Sequence, residues 1–445
     1  AAGGLLADNG NGPDDLGTPA AQLFSYGGGD LGGSVTDNLA GQPVSLAGGT
    51  LVVGSNGSWS LSGQPFQHGF YSFHYRLTNL AGGSDAEVRL MVKGPPVAQD
   101  DSLLIQVGSN YGQTGVLFKN NGSGADDRGT PLADVASFGG GSLGGDVTAH
   151  GPGETVSFAG GSLKVEADGT VTVDGTTTPG TYTFEYRIEN GVDVSTATVT
   201  AVVAEPPNAQ NDSYEFVFDL PQDVDAASGL FADNGSGADA LGSPAAEVAS
   251  FGGGSLGGTK DDHAAGSSAN LAGGILTVNN DGSWTLTGEP FIPGVYKFSY
   301  VLQNVLTADT ADVTLAISAE PDAKDDDFTV VAGETTTLPA GTLFENNGSG
   351  RDDLGFPVAK LESFGGGSLT GSVLDHEAGD EVAFGGGMLQ INADGSLVLT
   401  NPTQVGALSF KYRIGNSLGV SDATVSIYVS ARPLDYKVMV PVTVP

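Results

Sequence analysis

The chain of 445 residues is long enough for several independent hydrophobic cores, because single domains usually hold about 100 to 200 residues. Sixteen Lys and Arg against 52 Asp and Glu give a net charge of -36, which excludes nucleic acid and anionic lipid surfaces as partners. The 71 glycines among Val, Thr, Ser, Tyr and Phe indicate an all-β fold of short strands and tight turns, and the absence of cysteine excludes disulfides. No run of about 18 apolar residues occurs, so we expect no membrane insertion.

The second, third and fourth repeats of the sequence each begin with a short run that predicts a leading strand. These runs are SLLIQV at residues 102–107, YEFVFDL at 214–220 and FTVVAG at 328–333. The first repeat has only AAGG before Leu5 and therefore lacks a leading strand. A sandwich that lacks one strand exposes unpaired backbone groups and an apolar slot, which is costly unless another strand fills it.

A glycine-rich turn follows the leading strand and sets the period of the repeat. NGNGPDDLGTP begins at Asn9, and closely related turns begin at Asn121, Asn234 and Asn347. The next block, SYGGGDLGG at Ser25, recurs with the same period of about 113 residues. A fixed period of this length predicts four copies of one structural unit.

Two hairpins are predicted in the rest of each repeat. In LKVEADGTVTV and its three relatives, two alternating runs flank an Asp-Gly or Asn-Gly pair, which is a hairpin signature. In GTYTFEYRIENGVDVSTATVTAVV, alternation places Tyr182, Phe184, Tyr186 and Ile188 on one face. About seven short strands in roughly 110 residues are typical of an immunoglobulin-like β-sandwich, so the sequence predicts an all-β chain of four tandem immunoglobulin-like sandwiches.

Proline-containing junctions close the repeats: GPPVAQDD at 94–101, EPPNAQND at 205–212 and EPDAKDDD at 320–327. These junctions, the GxLxVxxDGSxxL hairpins and the closing GxYxFxYRxxNxxGxSDATVxxxV together resemble the bacterial cadherin-like and VCBS-type immunoglobulin-like repeats. The resemblance covers essentially the whole chain. It implies an extracellular or cell-surface stalk or adhesin segment, often stiffened by calcium.

The junctions divide the chain into five predicted parts. Residues 1–94 form a sandwich without its first strand, residues 95–205, 206–320 and 321–432 form three complete sandwiches, and residues 433–445 form a C-terminal donor strand. Proline stiffens each junction, so we expect an elongated rod.

Carboxylates at the junctions are the candidate metal ligands. They supply the oxygen atoms that Ca2+ prefers, and the cadherin-like resemblance implies calcium between domains. The candidates are Asp100, Asp101, Asn211, Asp212, Asp325, Asp326 and Asp327. A capping turn at the start of a strand explains the same residues, and the sequence leaves both interpretations open.

The GGSLG segments at 140–144 and 253–257 match the G-x-S-x-G pattern of a nucleophile elbow. The first repeat has Asp30 at the serine position, the fourth has Thr370 at the final glycine, and no helix is predicted after any of these segments. An elbow needs a turn from a strand into a helix, so the sequence favours a glycine-rich turn without enzymatic activity.

Three histidines, His150, His263 and His376, occupy one repeat position, which the first repeat fills with Asn38. One histidine in each domain cannot build a zinc site. Asn and His are both enriched in left-handed backbone conformations, so we expect a loop position with positive φ.

The C-terminal LDYKVMVPVTVP alternates almost perfectly. Tyr436, Val438, Val440, Val442 and Val444 share one face, which predicts a donor strand that buries this face. The segment follows a proline as the leading strands do, so it supplies the strand that the first repeat lacks. Four sandwiches in a row would separate the chain ends by roughly 100 Å or more, whereas the tail reaches about 40 Å, so a neighbouring chain is the expected acceptor.

We therefore expect an extracellular structural subunit, not an enzyme, whose partners are other copies of itself in a homopolymer. Insertion of the C-terminal strand into domain 1 of the next chain would build a filament, because a head-to-tail contact of this kind need not close. The alternative is a calcium-stiffened stalk segment of a large cell-surface adhesin. Ca2+ is the one candidate cofactor, and neither nucleic acid nor a membrane is an expected partner.

Overall fold

The computed structural model describes residues 4–217, 220–288 and 291–432. The chain divides into two compact units, residues 1–206 and 207–445, and each unit is taken by itself. Each unit contains two β-sandwiches, and each sandwich has its own hydrophobic core between two sheets. The all-β, immunoglobulin-like fold is thus confirmed. The four sandwiches are numbered 1 to 4 in chain order, while the domain limits inferred from the sequence stay a prediction.

Sandwich 1 is built from two antiparallel sheets, with strand orders β2-β1-β6-β7 and β3-β4-β5. Its strands are β1 (Gln22–Gly27), β2 (Asn38–Leu39), β3 (Pro43–Leu46), β4 (Gly49–Val53), β5 (Trp59–Ser62), β6 (Gly69–Asn79) and β7 (Gly82–Val92). Its core includes Leu23, Tyr26, Leu51, Phe73 and Tyr75.

Sandwich 2 has the strand orders β10-β14-β15-β8 and β11-β12-β13-β9. Its strands are β8 (Asp101–Gln106), β9 (Tyr111–Gln113), β10 (Asp134–Gly139), β11 (Thr155–Phe158), β12 (Gly161–Val165), β13 (Val171–Asp174), β14 (Gly180–Glu189) and β15 (Val194–Ala204). The strands of its leading segment, β8 and β9, therefore lie in different sheets.

Sandwiches 3 and 4 form the second unit and repeat this plan. The strands of sandwich 3 are β16 (Asp212–Val217), β17 (Gln222–Val224), β18 (Glu247–Gly252), β19 (His263–Ala264), β20 (Ser268–Leu271), β21 (Gly274–Val278), β22 (Trp284–Thr287), β23 (Gly294–Gln303) and β24 (Ala308–Ser318). Those of sandwich 4 are β25 (Asp326–Val331), β26 (Thr336–Leu338), β27 (Lys360–Gly365), β28 (His376–Glu377), β29 (Glu381–Phe384), β30 (Gly387–Ile391), β31 (Leu397–Thr400), β32 (Gly406–Gly415) and β33 (Val420–Ser430). The strand orders are β16-β24-β23-β18-β19 with β17-β22-β21-β20, and β25-β33-β32-β27-β28 with β26-β31-β30-β29.

Both predicted hairpins are confirmed in every sandwich. The first hairpin joins β12 to β13 around Asp168 and Gly169, and its counterparts turn at the equivalent Asn-Gly or Asp-Gly pairs. Gly169 has a φ of 77°, a conformation that glycine adopts without steric cost, which is why the turn requires this residue. The second hairpin pairs β14 with β15 and buries Phe184, Tyr186 and Ile188 as the alternation predicts.

Short 3-10 helices are the helical elements of the described chain. They lie at Gly29–Leu31, Val116–Phe118, Gly141–Leu143, Gly254–Leu256, Thr342–Phe344 and Gly367–Leu369. In the residues that the structure describes, no helix is long and apolar enough to cross a membrane.

The GGSLG segments form such a 3-10 helix and not the α-helix of a nucleophile elbow. Ser142 Oγ accepts a hydrogen bond from the backbone N–H of Thr183 at 3.0 Å, at the start of β14. The Asp30 carboxylate accepts the equivalent bond from the N–H of Ser72 at 2.6 Å in sandwich 1. The position therefore needs an oxygen acceptor, which explains why Asp can replace Ser.

The prediction of a positive φ at the repeated histidine position is wrong. His263 and His376 lie in the short strands β19 and β28, Asn38 lies in β2, and His150 forms an isolated bridge with Phe138. Left-handed φ values occur at other described residues but not at these four. The His150 ring lies 5.5 Å from the ring of Phe138, so strand pairing and ring packing decide the conformation here.

Candidate functional site

The outer edge of β7 in sandwich 1 differs from the same edge in the other sandwiches. In sandwiches 2, 3 and 4, the leading strand β8, β16 or β25 pairs in parallel with the last strand β15, β24 or β33. Within the described residues, β7 pairs with β6 alone, and no strand occurs between residues 4 and 21. The described residues thus contain no strand that covers the edge of β7, and this edge is open to an added strand. That sandwich 1 lacks a leading strand stays a prediction.

Side chains on the inner face of β7 are less buried than their counterparts. Val88 and Leu90 are partly exposed. At the same positions of sandwich 2, Val199 and Ala201 are fully buried on β15, which pairs with β8. The equivalent residues of sandwiches 3 and 4 are also buried. The leading strand therefore closes the core, and sandwich 1 presents part of its core to solvent.

The second sheet of sandwich 1 is open at the corresponding edge. In the complete sandwiches, the second strand of the leading segment, β9, β17 or β26, pairs with β13, β22 or β31. In the described part of sandwich 1, β5 pairs with β4 alone. Trp59 on β5 is consequently partly exposed, whereas its counterpart Trp284 is 1% exposed.

These two free edges border a groove of about 630 Å³. Trp59, Val88 and Leu90 contribute its apolar lining, and Tyr75 and Asp14 lie at its polar end. The Tyr75 hydroxyl donates a hydrogen bond to the Asp14 carboxylate, and burial together with this carboxylate raises the pKa of Tyr75 above its usual range. The groove thus combines apolar surface with unpaired backbone edges, as binding of an amphipathic strand requires.

The first residue of each predicted metal-ligand group has a structural partner within its own sandwich. The side-chain Oδ1 atoms of Asp100, Asn211 and Asp325 accept hydrogen bonds from backbone N–H groups of the last strand at 2.7 to 2.8 Å. Asp327, two residues after Asp325, is exposed to solvent. These bonds fasten the leading segment to the last strand.

The second acid of each group points into the sandwich. Asp101, Asp212 and Asp326 are 2%, 3% and 1% exposed. Each side chain lies near a second buried or half-buried carboxylate and a buried tyrosine, and the sets are Asp101, Asp126 and Tyr186, then Asp212, Asp239 and Tyr300, then Asp326, Asp352 and Tyr412. The tyrosine hydroxyl donates to the second carboxylate, at 2.9 Å between Tyr186 and Asp126 Oδ2.

Burial raises the pKa of Asp101, Asp212 and Asp326 to about 7, and the neighbouring carboxylate adds to the rise. Their carboxylate oxygens have no hydrogen-bond partner of normal geometry in the described structure. Tyr186 and Asn121 lower the pKa of Asp101, but by less than burial raises it. Each leading strand thus carries an acid that is partly protonated near neutral pH.

No group of three or more His, Asp or Glu side chains in the described ranges is arranged to hold a metal ion. Asp101, Asp212 and Asp326 each lie beside one further carboxylate of the same sandwich, Asp126, Asp239 or Asp352. Calcium at the junctions stays a prediction.

Sequence reasoning missed one structural residue in each sandwich. Asn190 donates from Nδ2 to the carbonyl oxygens of Gly94 at 2.8 Å and Pro131 at 2.9 Å, while its Oδ1 accepts from the turn that follows β14. Asn79, Asn304 and Asn416 occupy the same position and make related bonds. The recurrence of Asn after the Tyr-rich strand was the available signal.

Within the first unit, His68 links sandwich 1 to sandwich 2. Its Nε2 lies 2.9 Å from Asp127 Oδ2 and its Nδ1 lies 3.0 Å from Thr130 Oγ1. Backbone pairing of Gly94 with Thr130 and of Val97 with Asp127 holds the junction segment against sandwich 2. This junction is therefore a bonded contact and not a free linker.

The predicted donor-strand residues, Tyr436, Val438, Val440, Val442 and Val444, lie outside the described residues.

No family model matches this chain, and no curated protein matches it. Solved structures of immunoglobulin-domain tandems are similar to it. An I-band fragment of titin, I67–I69, covers 76% of this chain and 99% of its own at 12% identity and a TM-score of 0.40. The four N-terminal immunoglobulin domains of Dscam1 isoform 9.44 cover 94% and 93% at 12% identity and a TM-score of 0.30. The insect immune protein hemolin covers 85% and 87% at 11% identity and a TM-score of 0.27. TM-scores this low carry no information on function.

Proposed function

We propose that this chain is an extracellular structural subunit that polymerises head to tail, without enzymatic activity. The C-terminal strand, residues 434–445, of one copy inserts into the groove of sandwich 1 of the next copy and pairs in parallel with β7. The contact joins two different surfaces, so each added copy presents a new groove or a new tail, and a filament grows.

The single observation that carries this proposal is the free edge of β7. Three sandwiches of the same chain close this edge with a parallel strand, and the described residues of sandwich 1 do not. Sheet edges and apolar grooves of this kind are sites of strand addition.

The pattern of the tail matches the segment that closes sandwich 2. In that segment, β8 pairs with the first sheet and β9 with the second, and residues 101–113 are about as long as residues 434–445. Leu103 and Ile105 face the core, 4% and 1% exposed. The alternation of Tyr436 and Val438 supplies the same apolar face, and Pro441 falls near the crossover between sheets, where no ladder N–H is needed.

The expected stability of the contact follows from the apolar area that it buries. Five inward side chains at about 1.5 to 3 kcal/mol each give a gross gain on the order of 10 kcal/mol, before the cost of ordering the tail. A gain of this size supports slow dissociation of the inserted strand.

Two variants with complementary defects test the proposal. One chain lacks residues 434–445, and the other keeps the tail but carries Val88→Arg, which places a charge in the groove. Met91→Arg is the matched control, since Met91 lies on the opposite face of β7 and is already 40% exposed. Assembly is measured by light scattering and electron microscopy.

The intact chain and the Met91→Arg chain should polymerise. Each defective chain alone should stay monomeric, and an equimolar mixture should stop at a one-to-one complex, because the mixture contains a single matched groove and tail. Polymerisation of the chain without its tail, or no assembly of the intact chain, would show the proposal to be wrong. A monomer whose tail occupies its own groove at every concentration would also overturn it.

A further inference from the structure

Sandwich 3 contains a pocket for a tyrosine on its leading strand. The Tyr214 ring lies edge-on to Trp284, with 4.9 Å between ring centroids and an interplanar angle of 74°. Asn234 Nδ2 donates to the Tyr214 hydroxyl at 2.9 Å. A tryptophan on the second sheet and an asparagine on the glycine-rich turn thus satisfy both the ring and the hydroxyl.

Sandwiches 2 and 4 accept different residues at this point. The tryptophan position holds Val171 and Leu397, and the leading strand carries Leu103 and Phe328. Among the three complete sandwiches, sandwich 3 is the one with tyrosine at this point of the leading strand, and it is also the one with tryptophan on the facing strand.

Sandwich 1 repeats the tryptophan and asparagine of sandwich 3. Trp59 occupies the position of Trp284, and Asn9 that of Asn234. Asn9 Nδ2 donates to the Gly4 carbonyl at 2.8 Å, as Asn234 Nδ2 donates to the carbonyl of the equivalent glycine at 2.6 Å. Trp59 lines the groove and is partly exposed. The groove thus has the tryptophan that distinguishes sandwich 3 from the other complete sandwiches, together with the asparagine that all four repeats share.

We propose that sandwich 1 binds residues 434–445 of another copy in one register, in which Tyr436 packs on Trp59 and its hydroxyl accepts a hydrogen bond from Asn9. This inference rests on the proposed function and specifies how its groove recognises the tail. Tyr436 is the one tyrosine in that segment. Because Tyr214 pairs with Leu315 of β24, Tyr436 in this register lies opposite the equivalent Leu90 of β7.

In this register, Leu434 takes the place of the buried acid of the internal leading strands. Two residues before the tyrosine, sandwich 3 has the buried Asp212, which lies opposite Val313 and close to Asp239. The tail has Leu434 there, opposite Val88. Asp14 and Tyr75 already occupy the polar end of this groove, so a second carboxylate would add repulsion that leucine avoids. The tail therefore avoids the pair of neighbouring carboxylates that each of the three complete sandwiches contains at this point.

Charges on the outer face agree with the same register. Asp435 falls opposite Arg89, whose guanidinium contacts Glu87 at 3.1 Å and is 80% exposed. The whole chain has 16 Lys and Arg against 52 Asp and Glu, so Arg89 is one of few basic side chains with which an acid can pair. The expected pair is exposed, so it adds selectivity of register more than affinity.

Disulfide trapping tests the register, and the chain has no cysteine that would interfere. Met91→Cys is introduced into the chain that lacks residues 434–445, and Lys437→Cys into the Val88→Arg chain. In the proposed register these outward-facing residues lie opposite each other. Met439→Cys replaces Lys437→Cys as the control, shifted by two residues on the same face. The 91–437 pair should cross-link about tenfold faster than the 91–439 pair, because a disulfide requires close Cα atoms.

A double-mutant cycle tests the ring contact. In the same one-to-one complex, Tyr436→Leu should weaken binding to the Trp59 groove about tenfold, and should change binding to a Trp59→Leu groove by less than about twofold. Equal losses in both grooves, or faster trapping of the 91–439 pair, would overturn the register while the complex itself upholds the proposed function. If the two chains form no complex, the proposed function fails and the register fails with it.

Discussion

Asp101→Asn is expected to stabilise the docking of β8 at pH 8 and to leave it unchanged near pH 4. Asp101 is 2% exposed and sits beside Asp126, and burial raises its pKa from 3.8 to about 7. Asparagine has nearly the same size and carries no charge at either pH. The substitution therefore removes the ionisation and leaves the packing in place.

The sign of the effect follows from which state holds the proton. Below about pH 4, Asp101 is protonated in both the folded and the unfolded states, so it has no pH-dependent cost. Between about pH 4 and 7 the unfolded carboxyl ionises while the folded one keeps its proton, and stability falls as pH rises. Three pKa units at about 1.4 kcal/mol each correspond to about 4 kcal/mol at pH 8. Asp100 and Asp126 raise the pKa, and Tyr186 and Asn121 lower it.

Hydrogen exchange of the full chain, read by mass spectrometry on peptides from β8 and β15, measures this local free energy. After correction for the intrinsic pH dependence of exchange, Asp101→Asn should slow opening at pH 8 by as much as about a thousandfold and have no effect at pH 4. Peptides from β16 and β25 are internal controls, because Asp212 and Asp326 are unchanged. An equal gain at both pH values, or faster exchange at pH 8, would refute the reasoning.

Two further substitutions test contacts that the fold depends on. Asn190→Ala removes the hydrogen bonds to the carbonyl oxygens of Gly94 and Pro131. It should lower the free energy of unfolding of sandwich 2 by about 1 to 3 kcal/mol, measured by urea unfolding of the full chain. An unchanged unfolding midpoint would contradict this role. His68→Ala removes the contact with Asp127 and should increase protease cleavage at residues 93–97 without altering exchange inside either sandwich. Unchanged cleavage would mean that the backbone pairs alone hold this junction.

Local patterns predicted most of the fold. Asp-Gly and Asn-Gly pairs between alternating runs fixed the hairpins, because glycine alone adopts the φ of 77° at Gly169 without strain. The alternation of residues along β8 also indicated that Asp101 faces inward, because Asp101 shares a face of the strand with Leu103 and Ile105. This inward direction, which buries the Asp101 carboxylate, bears directly on its prediction as a calcium ligand.

Local propensity failed where tertiary contacts opposed it. The exchange of Asn38 for His150 suggested a left-handed loop, but pairing with Phe138 and contact between the rings hold His150 in extended backbone. A preference of a few tenths of a kcal/mol cannot outweigh backbone pairing and ring packing that contribute about 1 kcal/mol or more.

The sequence by itself determined the repeat and the all-β class, since both follow from local patterns of residues along the chain. Only the tertiary structure decided that β8 lies parallel to β15, that Asp101 meets Asp126, and that Trp59 borders a groove. These contacts join residues far apart in sequence, and packing of two sheets, rather than any local preference, sets which side chains meet. The free edge of β7 is a feature of this kind: sandwiches 2, 3 and 4 each cover this edge with a leading strand, and the described residues of sandwich 1 do not.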